Sequence, residues 1–153
     1  LAEASKNRSG LGLVIVGSGP EKNKLTKLTQ AMGIAERVVF EDWTCELQNF
    51  YHEADLFLLT SNYEGYGRTI VEAGLIGCPI LSADIGLVGE VATNEDILIC
   101  PVGDEDCFAE KIGWAVSHQR ELSQMALKFK DKLSQNLLTR GKYLTLFRES
   151  LNL

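Results

Sequence analysis

The chain has 153 residues, of which 45% are apolar and 24% charged, and its formal net charge is −6. This is globular composition at the length of one domain, enough to bury a core, and no apolar run approaches the roughly 20 residues that a membrane-spanning helix needs. The acidic balance, without a basic stretch interleaved with aromatics, argues against a nucleic-acid partner.

Leu1-Ala2-Glu3-Ala4 reads as the tail of a helix and Lys6 to Gly10 as its exit loop. The first strand is Leu11 to Val16. Gly17-Ser18-Gly19-Pro20 closes it, and a helix follows over about Glu21–Met32, with Leu25, Leu28 and Met32 at helical spacing. Gly17-x-Gly19 invites a dinucleotide reading, but the third glycine of that fingerprint falls at Lys22, so the match is incomplete. Val38-Val39-Phe40 is a second strand, followed by the loop Glu41-Asp42-Trp43-Thr44. Trp43 is read either as a base-stacking residue or as a partly exposed core tryptophan. A helix over about Cys45–Glu53 turns Leu47, Phe50 and Tyr51 inward and leaves His52 on the surface.

Leu56-Phe57-Leu58-Leu59 is an apolar run of the kind found in buried parallel strands. A glycine-containing loop and a helix to about Ile76 come next, with Gly77 at the position after the helix end and Pro79 blocking continuation. Ile80 to Ala83 is a further strand, Asp84 to Gly89 its loop, and Ile97 to Cys100 the last strand. Helices are predicted over about Asp106–Ser117, Arg120–Leu133 and Thr139–Leu151, the last with Tyr143, Leu144, Phe147 and Leu151 on one stripe. Strands alternating with helices predict an α/β, Rossmann-like single domain: a parallel sheet sandwiched by helices. Ligands of such sheets sit beyond the C-terminal strand ends, where the loops Gly17–Pro20, Glu41–Trp43, Ser61–Gly67 and Asp84–Gly89 all fall.

Chemistry concentrates in Ser61-Asn62-Tyr63-Glu64-Gly65-Tyr66-Gly67-Arg68-Thr69-Ile70-Val71-Glu72-Ala73. A strand, a glycine loop and a helix start together present free backbone N–H groups and the positive end of a helix dipole, a combination that holds phosphates. Glu64 lies in the loop and Glu72 in the first turns of the helix, whose side chains lean back toward the N-terminus. Carboxylates suit sugar hydroxyls rather than phosphate. Anion-binding backbone beside two such acids points to a phosphorylated sugar or a nucleotide sugar.

Glu64-Gly65-Tyr66-Gly67-x4-Glu72-Ala73 resembles the E-x7-E signature of the family-4 retaining glycosyltransferases, which have the GT-B fold. Val14-Ile15-Val16-Gly17-Ser18-Gly19-Pro20-Glu21, Val38-Val39-Phe40, Tyr51-x2-Ala54-Asp55 through Ser61, Gly77-Cys78-Pro79-Ile80 and Gly86-x2-Gly89-Glu90 resemble other segments of that family. The resemblance implies a donor-binding C-terminal domain. It further implies transfer of a sugar from a nucleotide diphosphate donor with retention, without a metal or other cofactor. Glu64 would serve the donor sugar as the catalytic carboxylate, Glu72 the ribose, and the N–H groups of Gly67, Arg68 and Thr69 the diphosphate. Gly65 and Tyr66 share that loop; Gly17 and Gly19 complete the donor-binding set with Trp43, which stands on the loop where relatives hold the base. Arg68 is a long cation at this place, either adding charge near the diphosphate or pointing to solvent. In relatives Glu90 begins a short helix. The family also has an upstream strand and glycine-rich turn bearing an Arg and a Lys, and an N-terminal acceptor domain. None of these has a counterpart here, so the chain is expected to be part of a longer polypeptide and inactive alone.

Two other readings stay open: a GT-B nucleotide-sugar epimerase, and a non-catalytic flavodoxin-like interaction module. Cys45, Cys78, Cys100 and Cys107 contain no Cys-x-x-Cys pair and are expected as free thiols in a reducing cytosol, Cys45, Cys78 and Cys100 buried in or beside apolar segments. Residues 1–117 carry 8 Lys/Arg against 18 Asp/Glu, while residues 118–153 carry 7 against 3. The basic end reads as a solvated helical face or as a weak attraction for anionic lipid at the inner face of a membrane. The apolar stripe of the last helix would favour self-association if its partner domain were absent.

Overall fold

A computed structural model describes residues 2–5, 10–86 and 88–136. The elements are α1 (Ala2–Ser5), β1 (Leu13–Val16), α2 (Lys22–Ala31), a 3-10 turn (Ala35–Arg37), β2 (Val38–Glu41), α3 (Leu47–Glu53), β3 (Phe57–Leu59), α4 (Arg68–Ile76), β4 (Ile80–Ala83), β5 (Leu98–Cys100), α5 (Glu105–Ser117) and α6 (Gln119–Asn136). The five strands and the helices α2 to α6 stand where the apolar periodicity puts them. The helix expected over Thr139–Leu151 lies outside the described residues.

All strand pairing is parallel, but it forms two sheets rather than one. β1 pairs with β2 in the register Leu13↔Val38 to Val16↔Glu41. β4 is the centre of the other sheet, with Phe57↔Ile80 on one side and Leu81↔Leu98 on the other. The single continuous sheet expected from the sequence is corrected in this respect. Hydrogen bonding stops at β1 and at β3, and no described strand pairs with both. Val14 and Val39, partners across β1–β2, are half-exposed.

β4 is buried along its whole length, as expected for a central parallel strand. Its alternation divides the core. Ile80 joins Tyr51, Leu59, Ile70, Ala73, Phe129 and Leu133 on one side. Leu81 joins Ala4, Cys100 and Ile112 on the other, with Leu11, Leu56 and Leu58 packed against them. Ser82 is buried between and its hydroxyl donates to the Ala83 carbonyl at 2.7 Å.

Helix α4 ends as its sequence dictates. Gly77 is left-handed (φ 88°), its N–H donates to the Gly74 carbonyl, and the Cys78 N–H donates to the Ala73 carbonyl. That is a Schellman closure, with Pro79 beyond it. Asp104 caps α5 by accepting from the Cys107 N–H at 2.9 Å. Three expectations fail. Gly89 to Val91 forms turns, closed by the Gly89 N–H on the Ala92 carbonyl, so Glu90 starts no helix. Cys100 and Cys107 are joined as a disulfide rather than free, because the Asp104 cap folds the first turn of α5 back beside the end of β5, with 5.8 Å between the two Cα atoms. Cys78 is free and buried, and Cys45 is free but exposed rather than buried, since it precedes the inward face of α3.

Candidate functional site

The loop after β3 and the start of α4 gather Glu64, Gly65, Tyr66, Gly67, Arg68, Thr69 and Glu72 at one strand end. Gly67 turns the chain in the left-handed region (φ 73°) directly before Arg68, a conformation that a side chain would strain. No side chain caps the helix, and the Gly67 carbonyl accepts from the Ile70 N–H at 3.0 Å. The N-terminal turn of α4 therefore keeps its anion-attracting character.

Glu64 is half-buried and fixed by the Ser61 hydroxyl, which donates to its Oε1 at 2.9 Å. Glu72 sits one turn into α4, half-buried, and its Oε1 accepts from Arg68 Nη2 at 3.4 Å. Tyr51 is buried on α3 and edge-on to Phe57 with ring centroids 5.2 Å apart. Burial first, then the neighbouring Glu72 carboxylate and the Cys78 thiol, push the Tyr51 hydroxyl up to about 12. Burial likewise pushes the Cys78 thiol up to about 11. Sequence reasoning missed Tyr51 and Ser61 as site residues. Ser61, three positions before Glu64, carried a local signal; Tyr51 did not, since its nearness to Glu72 is a tertiary fact.

The loop after β4 braces this one. Gly86 (φ 58°) lies so close that a Cβ there would stand 3.2 Å from the Tyr66 carbonyl carbon and oxygen and 3.3 Å from Gly67 N. Only a glycine lets the two backbones approach in this way.

Gly17, Gly19 and Trp43 form a second group at the ends of β1 and β2. The Gly17 N–H donates to the Glu41 carbonyl at 3.0 Å, and the Trp43 N–H donates to the Ser18 hydroxyl at 3.2 Å. Lys22, the first residue of α2, pairs with Asp42 at 2.9 Å. The Trp43 side chain is 71% exposed, which removes the core-tryptophan alternative. A cleft of about 230 Å³ lies beside Gly17, Gly19, Lys22 and Phe40. A larger concavity, about 610 Å³, is lined by α1 and α5 residues such as Glu3, Glu110 and Trp114 and by none of the strand-end loops, so its size is no argument for the site. Among the described residues no group of three His, Cys, Asp or Glu side chains is placed to hold a metal ion. No helix among them is long and apolar enough to cross a membrane.

The sequence model of the family described as glycosyl transferases group 1 matches residues 1–133. The chain belongs to that family. The O-antigen biosynthesis glycosyltransferase WclY of Escherichia coli is 29% identical over 142 residues, spanning 90% of this chain and 40% of that protein. The lipopolysaccharide core biosynthesis glycosyltransferase LpsE of Rhizobium meliloti is 29% identical over 127 residues, spanning 82% and 37%. The chain thus spans about two fifths of the length of these relatives. Anabaena HepE, solved in complex with UDP, superposes with a TM-score of 0.87 at 21% identity, covering all of this chain and 44% of that one. The C-terminal domain of the group 1 family protein LpcC of Francisella tularensis gives 0.76 at 19% identity, covering 88% and 76%. The fold is that of a GT-B glycosyltransferase, at its C-terminal domain. Those two relatives are named for O-antigen and lipopolysaccharide core biosynthesis.

Proposed function

We propose that the chain is the donor-binding part of a retaining glycosyltransferase of the hexosyltransferase type, moving a sugar from a nucleotide diphosphate sugar to a glycan or lipid-linked acceptor. One observation carries this. Glu64 and Glu72 bracket the left-handed Gly67 and the uncapped start of α4, at the C-terminal end of a parallel strand. Glu64, already oriented by Ser61, accepts from hydroxyls of the donor sugar, and Glu72 accepts from the ribose hydroxyls. Both carboxylates are half-buried, where hydrogen bonds to charged groups are strong. As the bond from the anomeric carbon to the diphosphate oxygen breaks, negative charge grows on the leaving group. The N–H groups at Gly67, Arg68 and Thr69 and the dipole of α4 face that charge. Gly17, Gly19 and the exposed Trp43 ring serve the nucleoside end, with the indole offered for stacking.

HepE is solved with UDP and with UDP-glucose, which supports a nucleotide sugar as the ligand class. The proposal includes independence from metal and from any further cofactor. The acceptor is bound by residues outside this chain, so the 153 residues bind donor without transferring it. A cytoplasmic site at the inner membrane face suits a lipid-linked acceptor.

Ligand-observed NMR with UDP, GDP, ADP and their sugar conjugates at millimolar concentration tests the reading, with and without EDTA. One nucleotide class should bind, unaffected by chelation, and Glu72→Ala should weaken it about tenfold or more by removing charge-assisted hydrogen bonds. Silence from every nucleotide, or affinity indifferent to Glu72→Ala, sinks the donor-site assignment. Turnover by the chain alone would refute the claim that it binds without transferring.

A further inference from the structure

Arg68 stands where helix energetics do not want a cation. It is the first residue of α4, at the positive end of the helix dipole, and it precedes its partner Glu72 by four positions. Both the dipole and the preferred order of an i,i+4 pair favour the reverse arrangement, with the acid first. Nor does packing account for it: the Arg68 side chain is 81% exposed and Glu72 39%. The contact between them is a long 3.4 Å. It is a weak ion pair that competing hydrogen bonds would open.

From this we infer that Arg68 is an exchangeable partner of Glu72: it occupies that carboxylate in the empty site and transfers its guanidinium to the diphosphate when a nucleotide binds. The inference rests on the donor-site reading above and adds to it a positioning device. With Arg68 on its Oε1, Glu72 has one acceptor site fewer for the ribose hydroxyls, which compete with the guanidinium for that oxygen. When the hydroxyls displace the guanidinium, Arg68 is left free beside the uncapped turn of α4 where the N–H groups point. A planar guanidinium there makes paired hydrogen bonds to phosphate oxygens. The two ends of the ligand thus act on one switch. The ribose releases the cation that the diphosphate captures, so ligands with both parts are favoured over ligands with one.

The test compares, by NMR or calorimetry, dissociation constants of UDP, GDP and ADP and of the nucleosides uridine, guanosine and adenosine for the unsubstituted chain, Arg68→Gln and Arg68→Lys. Arg68→Gln should weaken the bound diphosphate about tenfold, the loss of one charge-assisted contact. The matching nucleoside should bind unchanged or up to about twofold tighter, because the weak competitor for Glu72 is gone. Arg68→Lys should recover part of the diphosphate affinity and less of the selectivity. Equal weakening of nucleoside and diphosphate would overturn the exchange, as would a diphosphate affinity that Arg68→Gln leaves intact. If the unsubstituted chain binds no nucleotide at all, the donor-site reading falls first and the exchange with it. Thermal unfolding of the variants, expected unchanged for so exposed a side chain, separates these results from misfolding.

Discussion

Gly74→Ala is the perturbation whose cost can be worked most directly. Gly74 lies in α4, two residues beyond Glu72, at the crossing of α4 and α6. A methyl group there would stand 2.6 Å from both Leu133 Cδ1 and Phe129 Cε1 and 2.8 Å from Phe129 Cδ1. Those side chains are 2% and 1% exposed, so neither can swing into solvent to make room. Alanine gains up to ~1 kcal/mol over glycine in helix propensity. Overpacking a close-packed core costs ~1–3 kcal/mol. The clash should win, leaving the variant about 1–2 kcal/mol less stable, or roughly 3–6 °C in Tm for a chain of this length. Urea unfolding followed by circular dichroism measures it. Leu133→Ala alone should cost ~2–5 kcal/mol as a cavity. The double variant should lose less than the sum by ~1 kcal/mol, because each change relieves the other. A Gly74→Ala protein at least as stable as the original, or strictly additive behaviour, would refute the claim that this glycine sets the distance between α4 and α6.

Further outcomes follow from the same geometry. Gly86→Ala should cost about 1–2 kcal/mol, because a side chain in the left-handed region is strained and here also meets the Tyr66–Gly67 peptide. Nucleotide affinity should fall with it, and an unaltered affinity would show that this brace does not shape the loop. Asp96 is buried, which alone would raise its carboxyl, but the Lys132 ammonium at 2.6 Å and the Thr93 N–H and hydroxyl outweigh that and hold it below the ordinary carboxylate range. A lowered folded pKa gives stability that is present above about pH 4 and lost as pH falls through the folded value. Lys132→Met should therefore cost about 1 kcal/mol at pH 7, allowing for screening at the part-open lysine. The gap should close in acid; one constant down to pH 2 would contradict it. Tyr51 titrates at about 12 in the fold against an ordinary 10.0, so its contribution holds below pH 10 and drains away as pH rises toward 12. Tyr51→Phe should flatten that alkaline loss in a denaturation series from pH 8 to 12, and an unchanged slope would count against the burial of its hydroxyl beside Glu72.

Local chemistry made much of this protein readable. The run Leu56–Leu59, the pair Gly77 and Pro79, and the apolar positions of α3 each specify their own conformation, and the structure has them as expected. That Glu64, Gly67 and Glu72 share one strand end was legible for the same reason, since strand, loop and helix are consecutive. Contacts between distant segments left no local trace. Nothing in the sequence around Tyr51 places it near Glu72, nothing around Gly86 announces its approach to Tyr66, and nothing at Cys100 and Cys107 distinguishes a bonded pair from two thiols. Trp43 was ambiguous because an aromatic beside a strand end suits core and surface equally, and only the exposure of the ring decides.

The interruption of hydrogen bonding between β1 and β3 has a mechanical meaning. A continuous sheet transmits load through its ladder, whereas here the link between the β1–β2 pair and the β3–β4–β5 sheet is side-chain packing, such as that of Leu11, just before β1, onto the cluster of Leu81, Cys100 and Ile112. Such a seam resists compression better than shear. The residues at Gly17 and Trp43 ride on one plate, and those at Glu64 and Glu72 on the other. A rigid molecule grasped by both would act as a cross-strut, tying the plates together and merging their melting into one transition.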